Sequence, residues 1–312
     1  MARPILVGYC PSTADRGPVH FALAAGRATG APVLAVAVHS GGTVAAVPVG
    51  GELAGQPEAA ARAVLEPLRA ELGPAVDVRA REALTPAAGL TAAAEEADAR
   101  LIVLGSSARG PIGRVFPGST ADRVIHGAPC PVAVVPRGHL AGDGGMMTVG
   151  VAFAPTPEGR EALRTGARLA EAARASLRVI MVLDPSLAER SSPGMLAAAH
   201  HEHDLAEDRA GRTRIEAERA LDEAIAALGA TVPVERDVLF QDPADGLAAA
   251  SEHLDLLVMG SRAYGPMRAV MLGGVSRRVI TRAACPVLVL PRGTASAADE
   301  LVPVADRPPT TA

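Results

Sequence analysis

The sequence predicts an α/β fold: two doubly wound domains, each a five-stranded, mostly parallel sheet covered by helices on both faces. Two observations carry this. The chain of 312 residues repeats itself, residues 101–138 aligning without a gap to 256–293 with 20 of the 38 positions identical. Within each copy, short apolar runs alternate with helical stretches, the pattern of a parallel sheet buried on both faces and joined by right-handed crossovers.

In the first copy "PILVGY" reads as a strand, followed by an Ala-rich helix near 16–29. "PVLAVAV" (32–38) is the next strand, and "PEAAARAVLEPLRAEL" (57–72) a helix that Pro67 must kink or shorten. "AVDVRAR" (75–81) alternates like a strand, and "PAAGLTAAAEEAD" (86–98) reads as a helix. "RLIVLG" (100–105) is a fully apolar strand. After a Gly-rich turn, a short helix over 118–127 and "CPVAVVP" (130–136) close the unit. The second copy repeats the order, with strands near 148–153, 177–183, 231–238, 255–259 and 286–290.

The earlier parts, 5–38 and 148–183, align at an offset of 142, which leaves 13 extra residues in the second copy, in or near the polar stretch 186–229. The domains expected are 3–137 and 147–292, with a Gly-rich linker over 136–147. The tail 293–312 has no sustained period and is expected to be disordered. "GGTVAAVPVGGELAGQP" (41–57) reads either as a flap over the first site or as a plain loop.

Composition excludes several functions. The net charge of −4 argues against a nucleic-acid binder, and no apolar run reaches the length of a membrane span. With no signal-peptide pattern at "MARPILVGYC", the expected location is the cytoplasm. All thirty basic residues are Arg. With no Lys there is no Schiff-base lysine and no phosphate-loop lysine of the G-x-x-x-x-G-K type. Three cysteines are too few and too scattered for a disulfide framework or a metal knuckle, and Cys130 and Cys285 read as apolar filler ahead of matching strands.

The motif is the turn itself. "VLGSSARGPIGRVFPGSTADRVI" (103–125) and "VMGSRAYGPMRAVMLGGVSRRVI" (258–280) each lead from a buried strand into a helix. Backbone N–H groups and a helix N-terminus beyond a parallel strand make an anion site that needs no lysine. In the first copy its parts are Gly105, Gly110, Gly118, Ser119 and Thr120, the hydroxyls serving either a ligand or as a simple helix cap.

Both turns resemble the G-x2-G-x9-G-[ST] loop of universal stress proteins in their tandem form, over roughly 3–137 and 147–292. The resemblance implies an adenine nucleotide alpha hydrolase-like fold, with the two domains paired edge to edge inside one chain through their last strands. It implies a stress-response regulator that binds ATP or a related adenine nucleotide, chiefly in the first domain. The loop carries over as Gly105, Ala108, Arg109, Gly110, Gly118, Ser119 and Thr120, and as Gly260, Ala263, Gly265, Gly273 and Ser276. Val38, at the end of the second strand, joins the first set. The family's second loop glycine is therefore Ala in both copies, and the loop hydroxyl of the second copy is Gly274. The aspartate that follows the first strand falls on Cys10 and, in the second copy, on Ala152. Cys10 is either a thiol facing the pocket or a small plug that closes it.

Other readings stay open. The same fold without nucleotide would act through protein partners, with a homodimer as one form, and an enzyme of a related nucleotide-binding class, such as a ligase or transferase, is the third. Against catalysis stand the absence of matched carboxylate pairs and of a G-x-S-x-G elbow. "HHEHD" (200–204) reads as a solvated helix face rather than a metal patch, and His126 and His253 have no counterparts in the other copy.

Overall fold

The computed structural model describes residues 2–10, 15–39, 65–67, 69–70, 73–107, 112–140, 146–184, 202–260, 274–290 and 301–302. The apolar runs become strands β1 (Ile5–Gly8), β2 (Val33–His39), β3 (Val76–Glu82), β4 (Leu101–Gly105) and β5 (Val132–Val135), then β6 (Thr148–Ala152), β7 (Ser176–Leu183), β8 (Val234–Phe240), β9 (Leu256–Gly260) and β10 (Val287–Leu290). They form one sheet of ten strands in the order β3-β2-β1-β4-β5-β10-β9-β6-β7-β8. Within each half the strands are parallel, and the halves join where β5 and β10 pair antiparallel, Val134 opposite Val287 and Val132 opposite Val289. Both joining strands are buried along their whole length, so neither is left as a sticky apolar edge.

The helices are α1 (Gly17–Thr29), α2 (Pro86–Glu96), α3 (Ser119–Gly127), α4 (Pro157–Ala173), α5 (Glu202–Ala226), α6 (Pro243–Ala250) and α7 (Gly274–Ile280). One core lies on each face of the sheet, and each runs through both halves. Ile5, Val7, Val149, Val151 and Leu177 face α1 and α4, while Leu6, Leu34, Ile102, Ile180 and Leu257 face the other side. Cross-bonds add to the junction: Val115 N donates to Ala283 O, and Arg114 reaches Arg282 O and Glu252. The outer strands β3 and β8 are half exposed and carry ion pairs, Arg79 with Asp77 and Arg178 with Asp237, which discourage further strand addition.

Local signals set the helix ends. Thr85, Thr156 and Asp242 each accept a backbone N–H in the first turn, with a proline following at the start of the helix. α1 ends on Gly30 in the left-handed region (φ 67°), while α4 ends at the equivalent Arg174 with φ 56°, a conformation that crowds a Cβ. Cys130 and Cys285 are buried filler as expected, and burial pushes the Cys285 thiol up to about 12. No helix among the described residues is long and apolar enough to cross a membrane.

The register corrects the alignment. Ile5 pairs with Leu101 and Val33, and Val149 pairs with Leu256 and Leu177, so the first strands and their helices correspond at an offset of 144, not 142. Val33 and its partner Val76 are 43 positions apart where Leu177 and Val234 are 57, which places 14 additional residues between β7 and β8, the connection that holds α5. A connection three residues shorter between β8 and β9 offsets part of that gain.

Two expectations meet the structure elsewhere. The tail expected to be disordered is ordered at Leu301, whose side chain is 1% exposed in the core. Its carbonyl accepts from the buried Arg100, and the Val302 carbonyl accepts from Arg168. Apolar burial outweighs the tail's lack of period at this one residue. The segment 41–57 lies outside the described residues, as do the side chains of "HHEHD".

Candidate functional site

In each half a cavity opens where the strand order reverses, between β1 and β4 in the first copy and between β6 and β9 in the second. Cavity one measures about 690 Å³. It gathers six of the residues that the sequence singled out: Cys10, Val38, Gly105, Gly118, Ser119 and Thr120. Cavity two, about 450 Å³, gathers Gly260 and Ser276. Ala108, Arg109, Gly110, Ala263, Gly265 and Gly273 lie outside the described residues.

The Gly-rich turn beside cavity one is held at its two described ends. Ser106 donates from its backbone N and its hydroxyl to Val135 O (2.9 and 2.8 Å), and the same hydroxyl accepts from Phe116 N at 3.1 Å. Ser107 N donates to Phe116 O at 2.7 Å. These bonds tie the start of the turn to the approach of α3. The N-cap of α3 is Gly118 in extended backbone (ψ 173°), with no side-chain cap. Ser119 is thus the first helical residue, and neither it nor Thr120 serves as the cap. A helix whose first N–H groups have no side-chain acceptor presents a partial positive charge to the cavity. Val36, Val38, Leu90 and Leu104 supply an apolar wall.

Cys10 lines cavity one and is exposed, so it does not plug the cleft. The corrected register moves its counterpart from Ala152 to Ala154, while Ala152 stands opposite Gly8 of the first copy. An alanine-rich helix aligns almost as well two positions away, whereas the backbone ladder allows one register. At Gly8 a Cβ would lie 2.8 Å from Leu104 Cδ2, so that side chain's end would have to shift. In cavity two this position is Ala152 and the Val36 position is Ile180, and these larger side chains go with the smaller volume. Ser276, expected as a second-copy hydroxyl, is only 3% exposed.

Sequence reasoning missed a carboxylate in each cavity. Asp15 lines cavity one, and its Oδ1 accepts from Gly17 N (3.0 Å) and Gly138 N (3.4 Å). Its Oδ2 is buried without a hydrogen-bond partner. Glu158, in the first turn of α4, lines cavity two beside Gly260. The available signal was an acidic residue just ahead of, or within, the Pro-containing start of the helix that follows each first strand.

A doubly wound sheet duplicated within one chain, with a helix beginning at a cleft in each half, defines a class of paired α/β cleft proteins. The model of the universal stress protein family matches residues 1–136 and 146–291, and the chain belongs to that family. The universal stress protein Rv2319c of Mycobacterium tuberculosis is 30% identical over 210 residues, covering 65% of this chain and 68% of its own. A second protein of that organism, universal stress protein Rv2005c, is 31% identical over 201 residues, 62% of each chain. A universal stress protein structure from Pseudomonas aeruginosa superposes with a TM-score of 0.65 at 18% identity, covering 96% of this chain and 98% of that one. One from Archaeoglobus fulgidus gives 0.63 at 18%, covering 94% and 100%. At such identities these likenesses speak for the fold.

Proposed function

We propose that the protein is a stress-response regulator that binds an adenine nucleotide in cavity one without turning it over, while cavity two serves mainly as its structural twin. The observation that carries this reading is the uncapped start of α3 at Gly118, in the cavity that also holds Cys10 and Val38. The base lies against Val36, Val38 and Leu90, and a phosphate lies at the N–H groups and hydroxyls of Ser119 and Thr120. The second reading, in which the fold acts through protein partners with no nucleotide, is favoured for the C-terminal half by its smaller, more filled cavity.

Titration with AMP and ATP tests the proposal. The double change Ser119→Ala/Thr120→Ala removes the hydroxyl donors to a charged group, and the loss of one such bond costs about 1.5–3 kcal/mol. Binding should weaken about tenfold to a hundredfold, with Ser276→Ala leaving it nearly unchanged. A larger loss with Ser276→Ala would move the site to the other half, and no binding by the unaltered chain would defeat the nucleotide reading.

A further inference from the structure

Each cavity holds one charged side chain among its described lining residues, and in both it is a carboxylate: Asp15 in cavity one, Glu158 in cavity two. Both come from near the start of the helix after the first strand, Asp15 two residues ahead of α1 and Glu158 within the first turn of α4. In cavity one the group is half committed. Oδ1 holds the start of α1 through Gly17 N and the linker through Gly138 N. Oδ2 is buried and has no partner. A buried carboxylate oxygen without a donor is costly. A second anion placed there would add to it. None of the described residues lining cavity one is cationic.

We propose that Asp15 makes cavity one selective by charge: among adenine ligands it takes the nucleoside or its monophosphate in preference to the triphosphate. This rests on the nucleotide reading above and narrows it. One phosphate is accommodated at the start of α3, where Gly118 leaves the first N–H groups without a side-chain acceptor. Further phosphates bring negative charge into a confined space that already holds a carboxylate, where the interaction is only partly screened.

Equilibrium titration with adenosine, AMP and ATP, in chelator and at low salt, tests the proposal. The unaltered chain should bind AMP about tenfold more tightly than ATP, and the ratio should shrink as salt rises to about 0.5 M. Asp15→Asn keeps an oxygen to accept from Gly17 N, so thermal unfolding should change little, and it removes the charge. Its ATP affinity should rise about tenfold while AMP binding changes less or weakens. ATP binding as tightly as AMP in the unaltered chain would overturn the proposal, and so would an AMP-to-ATP ratio untouched by Asp15→Asn. Should that variant fail to fold, the salt series decides alone, and a ratio independent of salt overturns the proposal. If none of the three ligands binds, the nucleotide reading itself falls and this inference with it.

Discussion

Arg100 and Asp255 occupy equivalent positions, each one residue before the fourth strand of its half in chain order and 155 positions apart, yet they solve the same problem with opposite charges. Asp255 Oδ2 accepts from Met147 N (2.8 Å) and Thr148 N (2.9 Å), tying the start of β6 to the foot of β9. Arg100 donates instead, to Arg3 O at 2.9 Å and to Leu301 O at 3.2 Å. Arg100 is buried, which, with the like charge of Arg3 nearby, pulls its guanidinium below the ordinary value. The upper ends of the strands differ in the same manner: Gly8 and Val36 floor cavity one where Ala152 and Ile180 narrow cavity two. The ladder between these ends is held by backbone groups and requires only apolar side chains, so it keeps its register while both ends diverge.

The largest effect should come from the foot of the first copy. Leu301→Ala empties a buried site and loosens the carbonyl that Arg100 uses, for an expected loss of about 2–4 kcal/mol in urea unfolding. A loss below about 0.5 kcal/mol would mean that Arg3 alone supports Arg100, and the two feet would then be alike in depending on their first strand only.

A smaller effect should follow from making the cavities alike. Gly8→Ala gives cavity one the methyl group that cavity two carries, against Leu104 Cδ2 at 2.8 Å and Leu90 Cδ1 at 3.1 Å. Crowding of this kind costs about 1–3 kcal/mol and should weaken AMP binding in proportion to the lost depth. Unchanged stability together with unchanged affinity would remove Gly8 from the account of why the cavities differ.

The smallest prediction concerns the helix ends. Arg174→Gly places in α4 the residue that α1 already has at Gly30, relieves a positive φ of 56° on an exposed arginine, and should stabilise the protein by up to about 1 kcal/mol. A destabilised variant would show that the arginine side chain does more than tolerate its backbone.

The strands were legible because a strand covered on both faces is written as an unbroken apolar run, as in "LIVL" and "LLVM". β3 and β8, half exposed at the sheet edges, show alternation that is easier to misplace, and β8 begins three residues later than the sequence suggested. The candidate site was legible at Gly118, Ser119 and Thr120, where the residue types themselves limit the backbone. It was illegible at Asp15, because an acidic residue before a helix reads as a cap, and its Oδ1 does accept the first N–H of α1 at Gly17. Ala152 was misplaced because alanines carry little information about which of them touches a cleft. Leu301 was missed because one buried residue makes no period.

The antiparallel pairing of β5 with β10 has a consequence for how the two halves have come to differ. In an assembly of two identical chains, every substitution appears on both sides of the symmetry axis, and no cleft can change alone. Here the short connection over 136–147 holds the halves at an effective concentration that a separate partner would have to match by abundance. Joined within one chain, each half is free to vary independently, and Gly8 can persist on one side while Ala152 occupies the other.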